Sequence, residues 1–502
     1  MPGVLRVLGL SDSASIFAEH QIEFSNSDST LKLTPAYFGD SMSLAIKNGR
    51  IITANDDYIA DIYVENETIT SIGHDLEIPD GVETIDATGK FVFPGFIDPH
   101  VHIYLPFMGT YAKDNYETAS KAALVGGTTT LIEMCCPSRA QSPLESFELW
   151  KSKAEGLAAV DYTFHMGVTR YDDEVEQQLR ELVKRGLSSF KIFLAYQGAF
   201  GIDDEELFKT LKLAKELGVI VTAHCENAIA VSQLQSELIA AGKTGPEYHE
   251  PSRPESIETA GVQHLMTFAE LTGAHVYVVH TSCDGAVQAA QAARYRGVNA
   301  WIETVIPYLV LDKTYAEKPD FEGAKYVMSP PIRDIRNQPI LWDALRNRLI
   351  STVATDHAPF DFIDQKKAMG ADDFTKIPNG IPSVEDRINL LYTHGVATGK
   401  IDLQTFVDAG STQAAKLFGL YPKKGTIQIG SDADLVIYDP DYRGKISVQT
   451  HQMATDYSAF EGWELKGRPS IVTVRGEIQA RDGEFVGTIG RGEFLARTPN
   501  HF

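Results

Sequence analysis

The sequence is poor in cysteine, in basic charge and in long apolar runs. Its 502 residues include four cysteines, two of them adjacent at Cys135 and Cys136. These are too few for a disulfide framework, so we expect reduced thiols and a cytoplasmic protein. The formal net charge of −23 argues against nucleic acid as a partner, because phosphates bind basic surfaces. No apolar run approaches the roughly 18 to 20 residues of a membrane-spanning helix, so we expect no membrane partner.

β-like segments occur near both ends of the chain. Residues 1–42 lack sustained periodicity and are rich in serine and aspartate, so we expect an N-terminal extension there. Short β-like runs separated by turn signals fill residues 43–95, where Asn48-Gly49 is typical of a hairpin turn. Short β-like runs of the same kind return over residues 425–486, and a C-terminal tail follows at 487–502. We predict that the two β-rich segments form one small β-sandwich domain.

Between these segments, residues 96–424 alternate short apolar runs with amphipathic helical stretches such as 203–218 and 284–297. Eight apolar runs can be counted: FVFPGFIDPH, GTTTLIEMCC, VDYTFHMGV, SSFKIFLAY, GVIVTAHCE, AHVYVVHTS, VNAWIETVI and LISTVATDH. Eight βα units predict an α/β fold, a catalytic (β/α)8 TIM-like barrel. A doubly wound open sheet fits the same count, but no glycine-rich nucleotide loop follows the first run.

Residue types that bind metals lie at or near the C-terminal ends of five of these runs. They are His100, His102, Lys191, His224, His280 and Asp356. Barrel active sites form at that face, and strand alternation puts both members of the His-x-His pair on one side. Taken singly, His224 and His280 could be hydrogen-bonded core histidines, and Asp356 a turn or cap residue. Their common placement favours a metal site.

Lys191 lies inside the apolar run FKIFLAY, where an ammonium is costly to bury. Two interpretations remain open at this point. The lysine could form a buried ion pair with Glu133 or Glu303. Alternatively, burial could keep the amine neutral, so that it captures carbon dioxide and the carbamate bridges two metals.

Together these residues resemble the metal centre of the amidohydrolase superfamily, specifically of the hydantoinases and dihydropyrimidinases. Further matching stretches are PFMGT (106–110), SFKIFLAYQG (189–198), MSPPIR (328–333) and NGIPSVEDR (379–387). The resemblance extends over roughly residues 44–485. It implies a cyclic amidohydrolase with two divalent metal ions per subunit, for which the imidazole and carboxylate donors favour zinc.

The resemblance also implies a role for each site residue. One metal would be held by His100, His102, carboxylated Lys191 and Asp356, and the other by Lys191, His224 and His280. Asp356 would move the proton and Tyr196 would stabilise the oxyanion, while the main chain of Ser329 and Asn379 would hold the cyclic amide. A homotetramer is expected by the same analogy, with Arg491 and Phe494 of the tail reaching a neighbouring subunit.

Departures from the family pattern bear on the substrate. Ile103-Tyr104 follows the His pair, Gln197 replaces a lysine after the tyrosine, and no basic residue occurs between His102 and Lys113. An anionic ring acid therefore fits poorly. We expect hydrolytic opening of a neutral dihydropyrimidine or hydantoin ring to an N-carbamoyl amino acid. Alternatives are an allantoinase-like or cyclic-imide hydrolase, and a non-catalytic dihydropyrimidinase-like scaffold protein.

Overall fold

The computed structural model describes residues 43–499, so the predicted extension at 1–42 and the last three residues of the tail lie outside the described residues. Five strands come first: β1 (Ser43–Ile52), β2 (Asp57–Glu65), β3 (Thr68–Gly73), β4 (Glu83–Asp86) and β5 (Phe91–Pro94). Within residues 43–499, no helix is long and apolar enough to cross a bilayer.

The predicted hairpin turn at Asn48-Gly49 is wrong. Both residues lie inside β1, at a bulge where the pairing with β2 shifts between Ile46 and Gly49. Asn48 has φ 60°, and its amide donates to Asp61 Oδ1 at 2.8 Å. The left-handed conformation that Asn-Gly favours is therefore used for a bulge, because the side chain of Asp61 satisfies the displaced backbone.

Eight parallel strands form the barrel, and a short hairpin follows the first of them. The barrel strands are β6 (Phe96–Val101), β9 (Thr128–Cys135), β10 (Asp161–Gly167), β11 (Ser189–Phe193), β12 (Ile220–His224), β13 (His275–Val278), β14 (Ala300–Val305) and β15 (Thr352–Ala354). The hairpin strands are β7 (Pro106–Phe107) and β8 (Thr110–Tyr111). The sheet order runs β15-β14-β13-β12-β11-β10-β9-β6. A parallel bridge between Val101 and His357 joins the two ends of the sheet, which confirms the predicted barrel.

The first apolar run, FVFPGFIDPH, is divided between two sheets. Its first half is β5 and its second half is β6, with Gly95 between them. A Cβ at Gly95 would come within 2.1 Å of Thr129 Oγ1, so only glycine permits this close approach. The amide of Gly95 donates to the carbonyl of Asp434 at 2.7 Å. The chain therefore passes from one sheet to the other within a single apolar segment.

Helices follow most barrel strands. Their bounds are α1 (Tyr116–Val125), α2 (Pro143–Ala154), α3 (Asp173–Lys184), α4 (Asp204–Leu217), α5 (Ala228–Ala240), α6 (Glu255–Thr272), α7 (Asp284–Tyr295), α8 (Ile306–Val310) and α9 (Asn337–Arg346). Helix α4 shows why the predicted stretch 203–218 is helical. Asp203 and Glu206 form a reciprocal capping box at its start, and Gly218 closes it in the left-handed conformation.

The segment after β15 contains shorter helices. They are α10 (Ala368–Gly370), α11 (Arg387–Leu391), α12 (Leu403–Val407) and α13 (Gln413–Leu417), joined or extended by π-helical turns at Phe362–Lys367, Tyr392–Val396 and Asp408–Thr412. Single 3₁₀ turns occur at Pro246–Tyr248, Lys313–Glu317, Glu322–Tyr326 and Phe374–Lys376. The segment after β15 carries part of the candidate site.

Four C-terminal strands complete the second sheet: β16 (Leu435–Lys445), β17 (Glu464–Val474), β18 (Glu477–Arg481) and β19 (Glu484–Phe485). The order is β19-β18-β17-β16-β5-β1-β2-β3, with β4 paired to β1. Strands from both ends of the described chain therefore share one sheet domain, and the predicted combination of a TIM barrel and a small β-sandwich domain is confirmed. The exact limits of the domains stay predictions.

A buried charge cluster joins the two domains. Lys424 Nζ lies 2.5 Å from Asp161 on β10, 2.8 Å from Asp434 beside β16 and 2.9 Å from Asp432. Arg475 adds a second cation against Asp161. The three carboxylates are close enough together to suggest a metal site, but the lysine ammonium already lies among them. We therefore assign the cluster a structural role.

The tail packs on both domains of its own chain. Phe494 stacks on Phe164 with ring centroids 5.9 Å apart, and Arg491 donates to Glu67 Oε1 at 2.8 Å. Arg497 is fully buried and donates to Ser189 Oγ at 3.0 Å. That Arg491 and Phe494 also reach a neighbouring subunit stays a prediction.

Candidate metal centre

The six predicted ligands come together at the C-terminal ends of the barrel strands. His100 lies on β6 with His102 just beyond it, Lys191 lies on β11 and His224 ends β12. His280 and Asp356 each follow their strand, β13 or β15, by two residues. All six side chains are buried and line one small cavity of about 50 Å³. Parallel strands direct their carboxyl ends to one face, so residues far apart in sequence converge there.

Three of these side chains form one group of donors. Asp356 Oδ1 lies 3.2 Å from His100 Nε2 and 3.2 Å from His102 Nε2. Burial favours the neutral imidazole, and the pKa of His100 lies well below its ordinary value for this reason. Two imidazole nitrogens and a carboxylate oxygen around one point are a donor set for a divalent cation.

His224 and His280 form a second group. His224 Nδ1 lies 2.9 Å from His280 Nε2, while the other nitrogen of His224, Nε2, faces Glu226 Oε2 at 2.7 Å. Because the Glu226 carboxylate favours a proton on Nε2, the lone pair of Nδ1 points at His280. Burial lowers the pKa of both imidazoles. The 2.9 Å between these two nitrogens fits a hydrogen bond, and it also fits two donors on one cation.

Lys191 lies between these two groups in the cavity lining. Its side chain is 0% exposed, and among the described residues its Nζ has no hydrogen-bond partner. Within residues 43–499, Lys191 forms no ion pair with Glu133 or Glu303. The interpretation of Lys191 as a buried ion-pair partner is therefore wrong. Burial lowers the pKa of Lys191, which favours the neutral amine. A buried amine without a hydrogen bond, among imidazoles and a carboxylate, has the surroundings that the carbamate interpretation requires.

Two glutamates orient the histidines, a role that sequence reasoning gave to neither of them. Glu303 Oε1 accepts from His100 Nδ1 at 2.8 Å, and Glu226 Oε2 contacts His224 as described. Such carboxylate partners fix the tautomer of a ligating histidine and increase its basicity. Glu226 follows His224 by two residues, a spacing that could have indicated it. Glu303 lies inside the seventh apolar run, VNAWIETVI, where a charged residue was a weaker signal.

Tyr196, Ser329 and Asn379 lie beside the ligands. Tyr196 has φ 60° and its ring lies 5.2 Å from that of His224. Burial raises the pKa of Tyr196, so its hydroxyl keeps the proton and can donate. Asn379 Nδ2 donates to Ser329 Oγ at 3.0 Å, which joins two separate loops at the cavity wall. All three predicted substrate contacts therefore line the same cavity as the ligands.

A larger chamber of about 810 Å³ adjoins this cavity, and Tyr196 and Asn379 line both. Its other walls include the apolar rings of Phe107, Trp150 and Phe200. Arg253 is a buried cation in the same wall that sequence reasoning missed. Its Nη1 lies 2.5 Å from Glu226 Oε2, so an internal carboxylate neutralises it.

Comparisons with known proteins identify the family of this chain. The amidohydrolase family matches residues 91–479. A D-hydantoinase of Geobacillus stearothermophilus is 47% identical over 91% of this chain and 97% of its own length. A dihydropyrimidinase of Dictyostelium discoideum is 38% identical over 91% of each chain. The solved D-hydantoinase (dihydropyrimidinase) from Thermus sp. is 63% identical, with a TM-score of 0.90 over 91% of this chain and 100% of that one.

Fold, site geometry and these relatives lead to one assignment. The chain belongs to the amidohydrolase family, and within it to the hydantoinases and dihydropyrimidinases, which are cyclic amidohydrolases.

Proposed function

We propose that this chain hydrolyses a neutral dihydropyrimidine or hydantoin ring to an N-carbamoyl amino acid. The observation that carries the proposal is the cavity itself, in which six potential ligands and three potential substrate contacts line the same wall. The apolar chamber beside it suits a ring substituent without charge. Its relatives of both names support the same substrate class.

Two divalent cations, which we propose to be zinc, fit the donors present. His100, His102 and Asp356 would hold one cation, His224 and His280 the other, and Lys191 as N6-carboxylysine would bridge the two. Bound there, two such cations lower the pKa of water and polarise a carbonyl. The Nζ of Lys191 has no hydrogen-bond partner within residues 43–499, which supports the carboxylated form.

The chain's own residues supply the remaining steps. Asp356 would accept a proton from the attacking water and deliver it to the leaving amide nitrogen, while the ring carbonyl becomes a carboxylate. Tyr196 would donate its hydroxyl proton in a hydrogen bond to the oxygen that gains charge. The main chain at Ser329 and Asn379 would hold the ring amide, since the two loops meet at the cavity wall.

The charges around the cavity favour a neutral ring. Lys113, the first basic residue after the His pair, lies 2.5 Å from Asp361, and Arg253 is paired with Glu226. Neither cation is free to bind a ring carboxylate, and a buried carboxylate without a partner would be costly. An acidic ring such as dihydroorotate is therefore not expected to bind.

A panel of ring substrates tests the proposal. Purified protein reconstituted with zinc should open dihydrouracil or a 5-substituted hydantoin and release an N-carbamoyl amino acid. Preference for allantoin or a cyclic imide would favour the second enzyme hypothesis. Absence of turnover on all rings, with metal bound, would favour a non-catalytic scaffold, although all six ligand positions are filled. Elemental analysis of the active protein should give two metals per chain.

We further propose a homotetramer in the cytoplasm. The tetramer is proposed by analogy with the family and because closed symmetric assemblies are common. Four buried cysteines without a disulfide among the described residues support a reducing compartment. Light scattering at micromolar concentration should give four times the chain mass, and a monomer would contradict the proposed tetramer. Cell fractionation tests the proposed location in the cytoplasm.

A further inference from the structure

Lys366 is a buried lysine that the proposed chemistry does not use. It lies in the π-helical turn Phe362–Lys367 and its side chain is 0% exposed. Its Nζ donates to the carbonyl of Val327 at 3.0 Å and to the carbonyl of Pro378 at 2.9 Å. Among residues 43–499 this amine has no carboxylate partner that offsets its burial. Burying a lysine without a counter-ion is costly, so its two hydrogen bonds need an explanation.

The two carbonyls belong to the two loops that carry the proposed substrate contacts. Val327 precedes Ser329 by two residues, and Pro378 directly precedes Asn379. The amide of Gly380 also donates to the Val327 carbonyl, at 2.9 Å. Lys366 therefore lies behind the point where the loops meet, and it contacts main chain on both.

The opposite side of the second loop is also fixed. Gly380 has φ 150°, and a Cβ there would come within 2.2 Å of the carbonyl of Ala358. This loop therefore packs closely against the segment that follows Asp356. With Ala358 on one side and Lys366 on the other, the position of Asn379 relative to the ligands depends on both contacts.

We propose that Lys366 is a positioning residue that sets the distance between the Ser329 and Asn379 loops, and thereby the fit of the ring amide. This inference rests on the proposed function. The amine carries two or three hydrogens in its neutral or charged form, so it can serve both carbonyls in either state. Burial lowers the pKa of Lys366 to about 7, and the two hydrogen bonds tolerate that change.

Lys366→Met tests this role, with Lys367→Met as the matched control on the exposed neighbouring lysine. Methionine has a similar length but donates no hydrogen bond, so two buried carbonyls lose a donor. We expect KM for the ring substrate to rise about 10-fold or more, with kcat within about threefold and two metals retained. Hydrogen–deuterium exchange should accelerate in peptides covering both 327–331 and 378–382, and the control should match the unaltered protein in every measurement.

Lys366→Gln separates positioning from general folding. Its shorter side chain still donates N–H groups, so it should restore part of the KM and part of the exchange protection. Unchanged KM and exchange in Lys366→Met would overturn the inference, as would equal defects in the Met and Gln variants. Hydrogen–deuterium exchange can be measured whether or not the protein turns over a substrate. If the unaltered protein opened no ring, the proposed function would fail, while faster exchange in both loops would still support the link made by Lys366.

Discussion

Glu303 Oε1 lies 2.8 Å from His100 Nδ1, although 203 residues separate the two along the chain. The same oxygen accepts the amide of His280 at 2.9 Å, and Glu303 Oε2 accepts from the Tyr277 hydroxyl at 2.8 Å. One glutamate therefore orients a histidine from each of the two proposed metal positions. Burial raises the pKa of Glu303 to about 8, and these donors oppose that rise.

Replacing Glu303 with Gln should weaken metal binding. The amide retains the shape of the side chain but is a weaker acceptor for His100 Nδ1, so the imidazole becomes a poorer ligand. Loss of such a partner typically costs about 10- to 100-fold in metal affinity or activity. Metal content after dialysis against a chelator series measures this effect. Glu317→Gln, on an exposed glutamate, should retain normal affinity, and equal affinity in both variants would contradict the role of Glu303.

Lys191→Ala should remove metal and turnover together. The proposed carbamate belongs to both metal positions, so neither cation should stay bound in stoichiometric amount. A short carboxylic acid should restore part of the activity by replacing the missing carboxylate. Elemental analysis and kcat with and without added acid measure these effects.

A matched control for this variant is Cys225→Ser. Cys225 is buried beside His224, and its Sγ lies 3.5 Å from the Ala223 carbonyl, so it should be dispensable as a ligand. Serine can make the same contact and should keep both metals. If Lys191→Ala retained two metals and normal turnover, the bridging role would be wrong.

Tyr196→Phe should slow the reaction without affecting the metals. The ring packing against Phe107 and His224 can persist, but the hydroxyl that would stabilise the oxyanion is lost. Removal of one such donor costs about 10²- to 10³-fold in kcat. Steady-state kinetics and elemental analysis on the same sample separate the two effects. Loss of metal in this variant would indicate a structural role for the hydroxyl instead.

The stability of the fold should depend on His451 at alkaline pH. Burial by itself lowers the pKa of His451, but Asp386, 3.1 Å from Nε2, and Glu385 raise it to about 9. A histidine whose pKa is raised on folding contributes stability that is complete below about pH 6.5 and is lost as the pH rises through about 9. The contribution is roughly 3 kcal/mol.

Urea unfolding at about pH 6 and about pH 10 checks this prediction. The difference in unfolding free energy between the unaltered protein and His451→Asn should be larger at the lower pH by roughly 3 kcal/mol. A His451→Asn difference that stays constant between the two pH values would refute the prediction.

Some of the fold was predictable because the information is local. Period-2 apolar runs and capped amphipathic helices such as Asp204–Leu217 reflect contacts within a few residues. The division of FVFPGFIDPH at Gly95 was not predictable, since it depends on Thr129 and Asp434 from other parts of the chain. The bulge at Asn48 has the same origin, because Asp61 on the next strand decides between a turn and a bulge.

The sequence by itself determined the barrel, the sandwich and the six residues that the structure brings together at the candidate metal site. This was possible because parallel strands in a closed barrel direct all their carboxyl ends to one face, so a residue's place on its strand predicts its place in the site. Only the tertiary structure decided which nitrogen of His224 faces Glu226 and which nitrogen of His100 faces Glu303. It also decided that Lys191 has no ion-pair partner among the described residues. Lys366, finally, links the Ser329 and Asn379 loops only through contacts that the folded chain makes. These features depend on side-chain direction across strands and loops distant in sequence, which is fixed only when the barrel closes and packs.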